Sequence, residues 1–280
     1  MRGWHVVGLV LLSVLALACE GNGQADPAPS SKPQRGLPSS MAALGDSVTA
    51  GLGSCLVYAA CTRNSWSTGS GDSIDSHYQR IRAGNSKMRG HASNFARPGA
   101  LAVELVGQAE RAVQAKVQYV TVLIGANDAC TRRVEDMTST RTFRKQVDAA
   151  LATLKKGLPK ARILVVSIPD AYRLWQLGHG DARAVRAWNL GICQSLLANP
   201  TSTADADDRR RRRVGAQIDA YNDALVAACE AYGKRCRWDG GSAHRVRFSL
   251  DLVNRFDYFH PNAKGQSRLA EVTYPSRFNW

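Results

Sequence analysis

Ser47 and His260 carry the side chains of this chain best suited to nucleophilic chemistry, and each stands in a short motif that suits the role. An apolar run at 41–44 leads into Gly45-Asp46-Ser47-Val48. The Ser47 hydroxyl is therefore expected at the carboxyl end of a strand, the edge where open α/β sheets bind ligands. Thr49-Ala50-Gly51 reads as the opening of a helix whose N-terminus favours negative charge beside the serine. A serine after a strand is on its own more often a helix N-cap than a nucleophile. The chain also lacks a Gly-x-Ser-x-Gly elbow around it, which argues against an α/β-hydrolase. At the far end, Asp257-Tyr258-Phe259-His260-Pro261 sets a carboxylate three residues before an imidazole. A local turn brings both to one side. There the carboxylate fixes the tautomer and the other ring nitrogen is left to take a proton.

Two further motifs supply donors. Gly125-Ala126-Asn127-Asp128 ends the strongest apolar run, 119–124. The Asn127 amide can hold an oxyanion because it donates without titrating, while Asp128 reads as a tie for the loop. In Asn94-Phe95-Ala96-Arg97-Pro98-Gly99, the Gly99 amide is expected at the start of a helix, aimed at the same point.

These residues need a scaffold that brings strand ends together. Runs at 41–44, 119–124 and 162–168 are near-continuous in apolar residues, as suits strands buried on both faces of a parallel sheet. Helical patterns occupy 101–113, 142–158 and 214–232, and Pro261 fits the first position of a helix over 262–271. The alternation predicts a single three-layer α/β/α sandwich. Segments 55–85 and 170–180, rich in Gly, Ser, Asp and His, read as loops forming the rim of a site. His77, His91, His179 and His244 read as loop or surface residues without metal-ligand spacing, with His77 and His179 able to reach substrate if their loops line the cleft. Trp66, Trp175 and Trp188 are either packing residues or a platform for an acyl or sugar group.

Composition sets the surroundings. Residues 1–18 carry Arg2, an apolar stretch and Ala16-Leu17-Ala18 before Cys19, the layout of a secretory signal peptide. Residues 19–40, rich in Pro, Gly and Ser, read as a disordered tether, leaving 41–280 as one α/β domain. Cleavage by the general signal peptidase gives a secreted chain with a free Cys19. Leu15-Ala16-Leu17-Ala18-Cys19, however, resembles a bacterial lipobox, which implies lipidation of Cys19 and anchoring at the cell surface. The other six of seven cysteines, Cys55, Cys61, Cys130, Cys193, Cys229 and Cys236, read as structural disulfides, with 15 connectivities open. No pair has CxxC spacing, so neither a zinc site nor a redox centre is expected. The net charge is +14, and long-range attraction to anionic partners follows. The arginine run 209–213 follows three aspartates and has no interleaved aromatics, so it reads as a solvated loop between two helices and not as a nucleic-acid surface.

Taken in order, Gly45-Asp46-Ser47, Gly99, Gly125-Ala126-Asn127-Asp128 and Asp257-Tyr258-Phe259-His260 resemble the four blocks of the SGNH (GDSL-type) hydrolases. The resemblance spans most of 41–280. It implies a flavodoxin-like sandwich around a mostly parallel five-stranded sheet and a carboxylic esterase or lipase, monomeric and free of metal or other cofactor. Ser47 would be the nucleophile, His260 the general base and Asp257 its orienting partner, with the Ser47 and Gly99 amides and the Asn127 side chain as oxyanion hole. Asn64-Ser65-Trp66-Ser67-Thr68-Gly69 and Asn127-Asp128-Ala129-Cys130 look like the secreted actinobacterial and related branch. That likeness implies sequential pairing: Cys55 with Cys61, Cys130 with Cys193, Cys229 with Cys236. Lipids, short-chain esters and acetylated polysaccharides all remain substrate classes for such a fold. A tethered non-catalytic binding protein is the alternative from another class, and the presence of all four motifs speaks against it.

Overall fold

Three strands grow from the apolar runs: β1 (Met41–Gly45), β3 (Tyr119–Leu123) and β4 (Arg162–Val165), the first two buried at every position. Short strands β2 (Ala92–Asn94) and β5 (Cys236–Trp238) complete the sheet. All pairings are parallel, in the order β2-β1-β3-β4-β5. This is the doubly wound order of flavodoxin-like folds, whose switch point lies between β1 and β3. The computed structural model describes residues 36–280; the signal peptide at 1–18, Cys19 and the tether up to residue 35 lie outside the described residues.

The helices are α1 (His77–Gly84), α2 (Leu105–Gln114), α3 (Ala126–Ala129), α4 (Thr140–Gly157), α5 (Ala171–Gly178), α6 (Ala182–Trp188), α7 (Gln194–Leu197), α8 (Asp205–Tyr232) and α9 (Ala263–Thr273). On one side α2 packs against α4 and α4 against α8, with α2 touching β1 and α8 touching β5. α4 shows why the pattern folds this way. The Ser139 hydroxyl caps it by accepting from the Thr142 amide, and Phe143, Val147, Ala150, Leu151 and Leu154 form its buried stripe. Each large apolar residue in such a stripe contributes about 1.5–3 kcal/mol on burial. On the other side, α1 and α9 meet through His77, whose Nδ1 lies 3.1 Å from the Tyr119 hydroxyl of β3 and whose Nε2 lies 3.0 Å from Thr273 Oγ1.

Several local expectations are corrected. Segment 55–85 contains α1, and His77 is fully buried rather than at the surface, its imidazole pushed down to about 3 by burial. Segment 170–180 contains α5, capped by the Asp170 carboxylate at the Arg173 amide. The arginine run lies inside α8, whose acidic first turn, Asp205, Asp207 and Asp208, suits a helix N-terminus. Arg211 is buried with its guanidinium 4.1 Å from the Trp175 ring centre, Arg210 donates to the Ser195 and Ala198 carbonyls, and Arg212 and Arg213 pair with Asp208 and Glu135. Trp66, Trp175 and Trp188 are packing residues, each buried with its indole N–H donating, to Thr49 Oγ1, the Pro200 carbonyl and the Tyr258 carbonyl. Pro261 precedes the N-cap of α9, because Asn262 takes that position by accepting from the Gly265 amide. The disulfides are Cys55–Cys61, Cys130–Cys193 and Cys229–Cys236.

Candidate active site

Ser47 stands two residues past β1. No helix opens at Thr49; the chain instead winds through consecutive turns, with the Ala50 amide donating to the Asp46 carbonyl and the Leu52 amide to the Ser47 carbonyl. The helix dipole anticipated there is therefore missing, and side chains fix the turn instead. Asp46 Oδ1 accepts from the Val48 amide at 3.0 Å, and Gln266 of α9 donates to the Val48 carbonyl while accepting from the Trp66 amide. Gln108 of α2 both donates to and accepts from the Gly45 backbone. Gly45 has φ +146°, and a Cβ there would lie 2.1 Å from the Leu123 carbonyl oxygen, so no other residue fits between β1 and β3.

His260 is presented by a loop tied at its base. Val253 and Pro261 form an antiparallel bridge, and the Asn254 amide donates to the His260 carbonyl at 2.9 Å. Asn254 Oδ1 accepts from the Phe256 and Asp257 amides. Asp257 Oδ1 then accepts from the Phe259 and His260 amides at 2.8 and 3.0 Å, and its Oδ2 lies 2.6 Å from His260 Nδ1. His260 Nε2 lies 2.8 Å from Ser47 Oγ. All three residues are at most 9% exposed. Burial raises the Asp257 carboxyl, but the hydrogen bond and charge of His260 with the two amides outweigh it and hold the group below the ordinary carboxylate range. A carboxylate, an imidazole and a hydroxyl in this chain of contacts can move a proton off the hydroxyl and keep it on the ring.

Asn127 stands at the second position of α3, half-buried, four residues past the end of β3. One hydrogen of its amide goes to the Ala100 carbonyl at 3.0 Å, which leaves the second for another acceptor. Gly99 lies in a turn ahead of the 3₁₀ turn at Ala102–Glu104 and not at a helix start; its φ is +80° and open space faces it. Among the described residues, neither the Ser47 nor the Gly99 amide donates to a protein acceptor. Asp128 Oδ2 accepts from the Ala102 amide at 3.0 Å and so joins the segment after Gly99 to α3.

Asp46 and Asp128 are both buried, and each leaves one carboxylate oxygen without a partner. Burial lifts Asp46 to about 6, with Asp128 adding to the rise and the Val48 amide opposing it. Burial likewise raises Asp128. A narrow, mainly apolar slot is lined by Leu174 and Phe248 among others and by Val48, Ala126, Phe259 and Pro261, the sequence neighbours of Ser47, Asn127 and His260. Gln108, Gln266 and Asn254 were not anticipated from the sequence. For Gln108 and Gln266 the signal was a lone buried amide on an otherwise apolar helix stripe, as Gln108 is among Leu105, Ala109 and Ala112, whereas Asn254 lies in a loop and left no such pattern.

The pattern of a family described as GDSL-like lipase/acylhydrolase matches residues 41–273. Among solved structures, the chain is similar to a protein from Parabacteroides merdae described as a GDSL-like lipase, at 16% identity and TM-score 0.52, covering 83% of this chain and 92% of that one. It is also similar to an acetylxylan esterase from Geobacillus stearothermophilus (14%, TM-score 0.50, 83% and 91%) and to a family 3 carbohydrate esterase from Clostridium thermocellum (12%, TM-score 0.50, 84% and 92%). These likenesses establish the shared fold. No curated protein matches the chain.

Proposed function

The chain belongs to the GDSL-like lipase/acylhydrolase family and is a carboxylic ester hydrolase, and we propose that it works through an acyl-enzyme on Ser47. His260 Nε2 takes the Ser47 proton as the oxygen attacks the ester carbonyl, and Asp257 holds the imidazole in the required tautomer. The Ser47 and Gly99 amides and the free hydrogen of Asn127 receive the oxyanion. His260 then returns the proton to the leaving alcohol, and in the second half-reaction it activates the water that releases the acid. The single observation that carries this reading is the unbroken contact from Asp257 through His260 to Ser47, at 2.6 and 2.8 Å.

The slot beside Val48 and Phe259 receives the acyl group, since its walls are mainly apolar and include the sequence neighbours of Ser47, Asn127 and His260. We also place the protein outside the cytosol. Three disulfides suit an oxidising compartment, and a signal peptide at 1–18 with a lipidated Cys19 is consistent with them. The test is hydrolysis of p-nitrophenyl esters from acetate to palmitate by the native chain and by Ser47→Ala. The variant is expected to lose all but background turnover, and full turnover in the variant would exclude Ser47 as nucleophile.

A further inference from the structure

Seven large apolar side chains stand exposed among the described residues, and five of them, Leu56, Val57, Tyr58, Leu190 and Phe256, gather in one place. Leu56 and Phe256 line a hollow of about 780 Å³, Leu190 and Phe256 line the one adjoining it, and the Tyr58 ring centre lies 5.8 Å from that of Phe256. Leu56 is 97% exposed and Leu190 84%. An apolar cluster of this size, rimmed by charge, marks an interaction surface. Its exposure is built in: the Cys55–Cys61 disulfide and the bond from the Gly53 amide to the Ala59 carbonyl hold the 55–61 loop in place, with its side chains outward.

The same two hollows carry Arg63, Arg183, Arg186, Arg255 and Lys264 against a single lining carboxylate, Asp251. Arg183 pairs with Asp181 and Lys264 acts on Asp251, whereas Arg63, Arg186 and Arg255 form no ion pair among the described residues. We propose that this face docks on an anionic lipid surface, with Leu56, Val57 and Leu190 entering the acyl boundary and the free guanidinium groups meeting phosphates at headgroup level. Aliphatic side chains flanked by cations suit that boundary, because each kind of group finds its own layer there. A soluble polyanion would satisfy the cations and leave the aliphatic tips in water. The position matters as well. Phe256 and Tyr258 flank Asp257, and burial together with the charge of, and a hydrogen bond to, Asp257 pushes the Tyr58 phenol up to about 12. Docking by this face therefore sets the loop that holds His260 against the surface.

The test uses residues 36–280, which enclose their own core, carrying Ser47→Ala so that no lipid is consumed. Co-sedimentation is measured with vesicles of phosphatidylcholine alone and with a third of phosphatidylglycerol. Binding is expected to the anionic vesicles only and to weaken with salt. It should fall about twenty-five-fold in R63Q/R255Q, at about fivefold per cation removed, and about tenfold or more in L56S/V57S. Restoring Ser47 in L56S/V57S and assaying p-nitrophenyl acetate verifies that this variant folds, since turnover on a soluble ester should match the native rate. Equal binding to both vesicle types, anionic binding that both variants leave intact, or binding to soluble polyphosphate without binding to vesicles would each overturn the proposal. Sedimentation is read without turnover, so its failure leaves the esterase reading untouched, and the failure of that reading leaves this one untouched.

Discussion

Replacing Asp257 by Asn tests how the imidazole is controlled. Asp257 Oδ1 sits between two amide donors, those of Phe259 and His260, at 2.8 and 3.0 Å. An asparagine must keep its carbonyl oxygen there, since turning its NH₂ toward two N–H groups would leave buried donors facing donors, at about 1–3 kcal/mol for each one unsatisfied. Its NH₂ therefore takes the place of Oδ2, 2.6 Å from Nδ1. That nitrogen must then accept, the ring proton moves to Nε2, and Nε2 donates to Ser47 instead of accepting from it. The wrong tautomer should cost about 10⁴-fold in kcat, the loss seen for the same exchange in serine proteases with this triad. Stability should change little, because the cap on both amides survives, whereas Asp257→Ala removes the cap and should lose about 2 kcal/mol more. Steady-state kinetics on p-nitrophenyl butyrate and urea melts of both variants supply the readings. If Asp257→Asn kept more than about a tenth of the native kcat, Asp257 would not be the group that sets the tautomer.

Other expectations concern stability and the slot. Asp46 titrates near 6 in the folded chain against 3.8 when unfolded, so between those values the native state binds the extra proton and stability falls as pH rises, by about 3 kcal/mol in all. Asp46→Asn removes this dependence, and urea melts should show the variant gaining on the native chain by about that amount from pH 4 to pH 7; a constant difference would contradict the raised value. Ala171 lines the slot, so Ala171→Phe should cut turnover of octanoate esters at least tenfold more than that of acetate, and a uniform loss would show that acyl chains lie elsewhere. Removing Cys130–Cys193, which spans 63 residues, should cost about 4 kcal/mol, and removing Cys55–Cys61, which spans 6, about 2 kcal/mol, both read from denaturation of paired Ser variants.

The strands were readable because β1, β3 and β4 are buried on both faces, which forces unbroken apolar runs. The edge strands β2 and β5 have three residues each and half-buried sides, too few to leave a pattern. Loop-like composition at 55–85 and 170–180 hid α1 and α5, whose caps, Ser76 and Asp170, are the very residue types that also mark turns. The arginine run looked like a loop because charge alone does not show that Arg211 turns inward onto Trp175. In the site, the motifs named the side chains that meet. What sequence did not show was the support: Gln108, Gln266 and Asn254 act across 63, 218 and 6 residues of chain, and only the folded arrangement brings the first two to the serine loop.

The most direct test of the Ser47 mechanism is covalent trapping. Incubation with an organophosphate ester such as diethyl p-nitrophenyl phosphate, followed by mass spectrometry of the digested protein, should give one phosphoryl adduct, on Ser47, with loss of esterase activity in step with labelling and no adduct in Ser47→Ala. An adduct on another residue, or esterase activity that survives complete labelling of Ser47, would contradict the account.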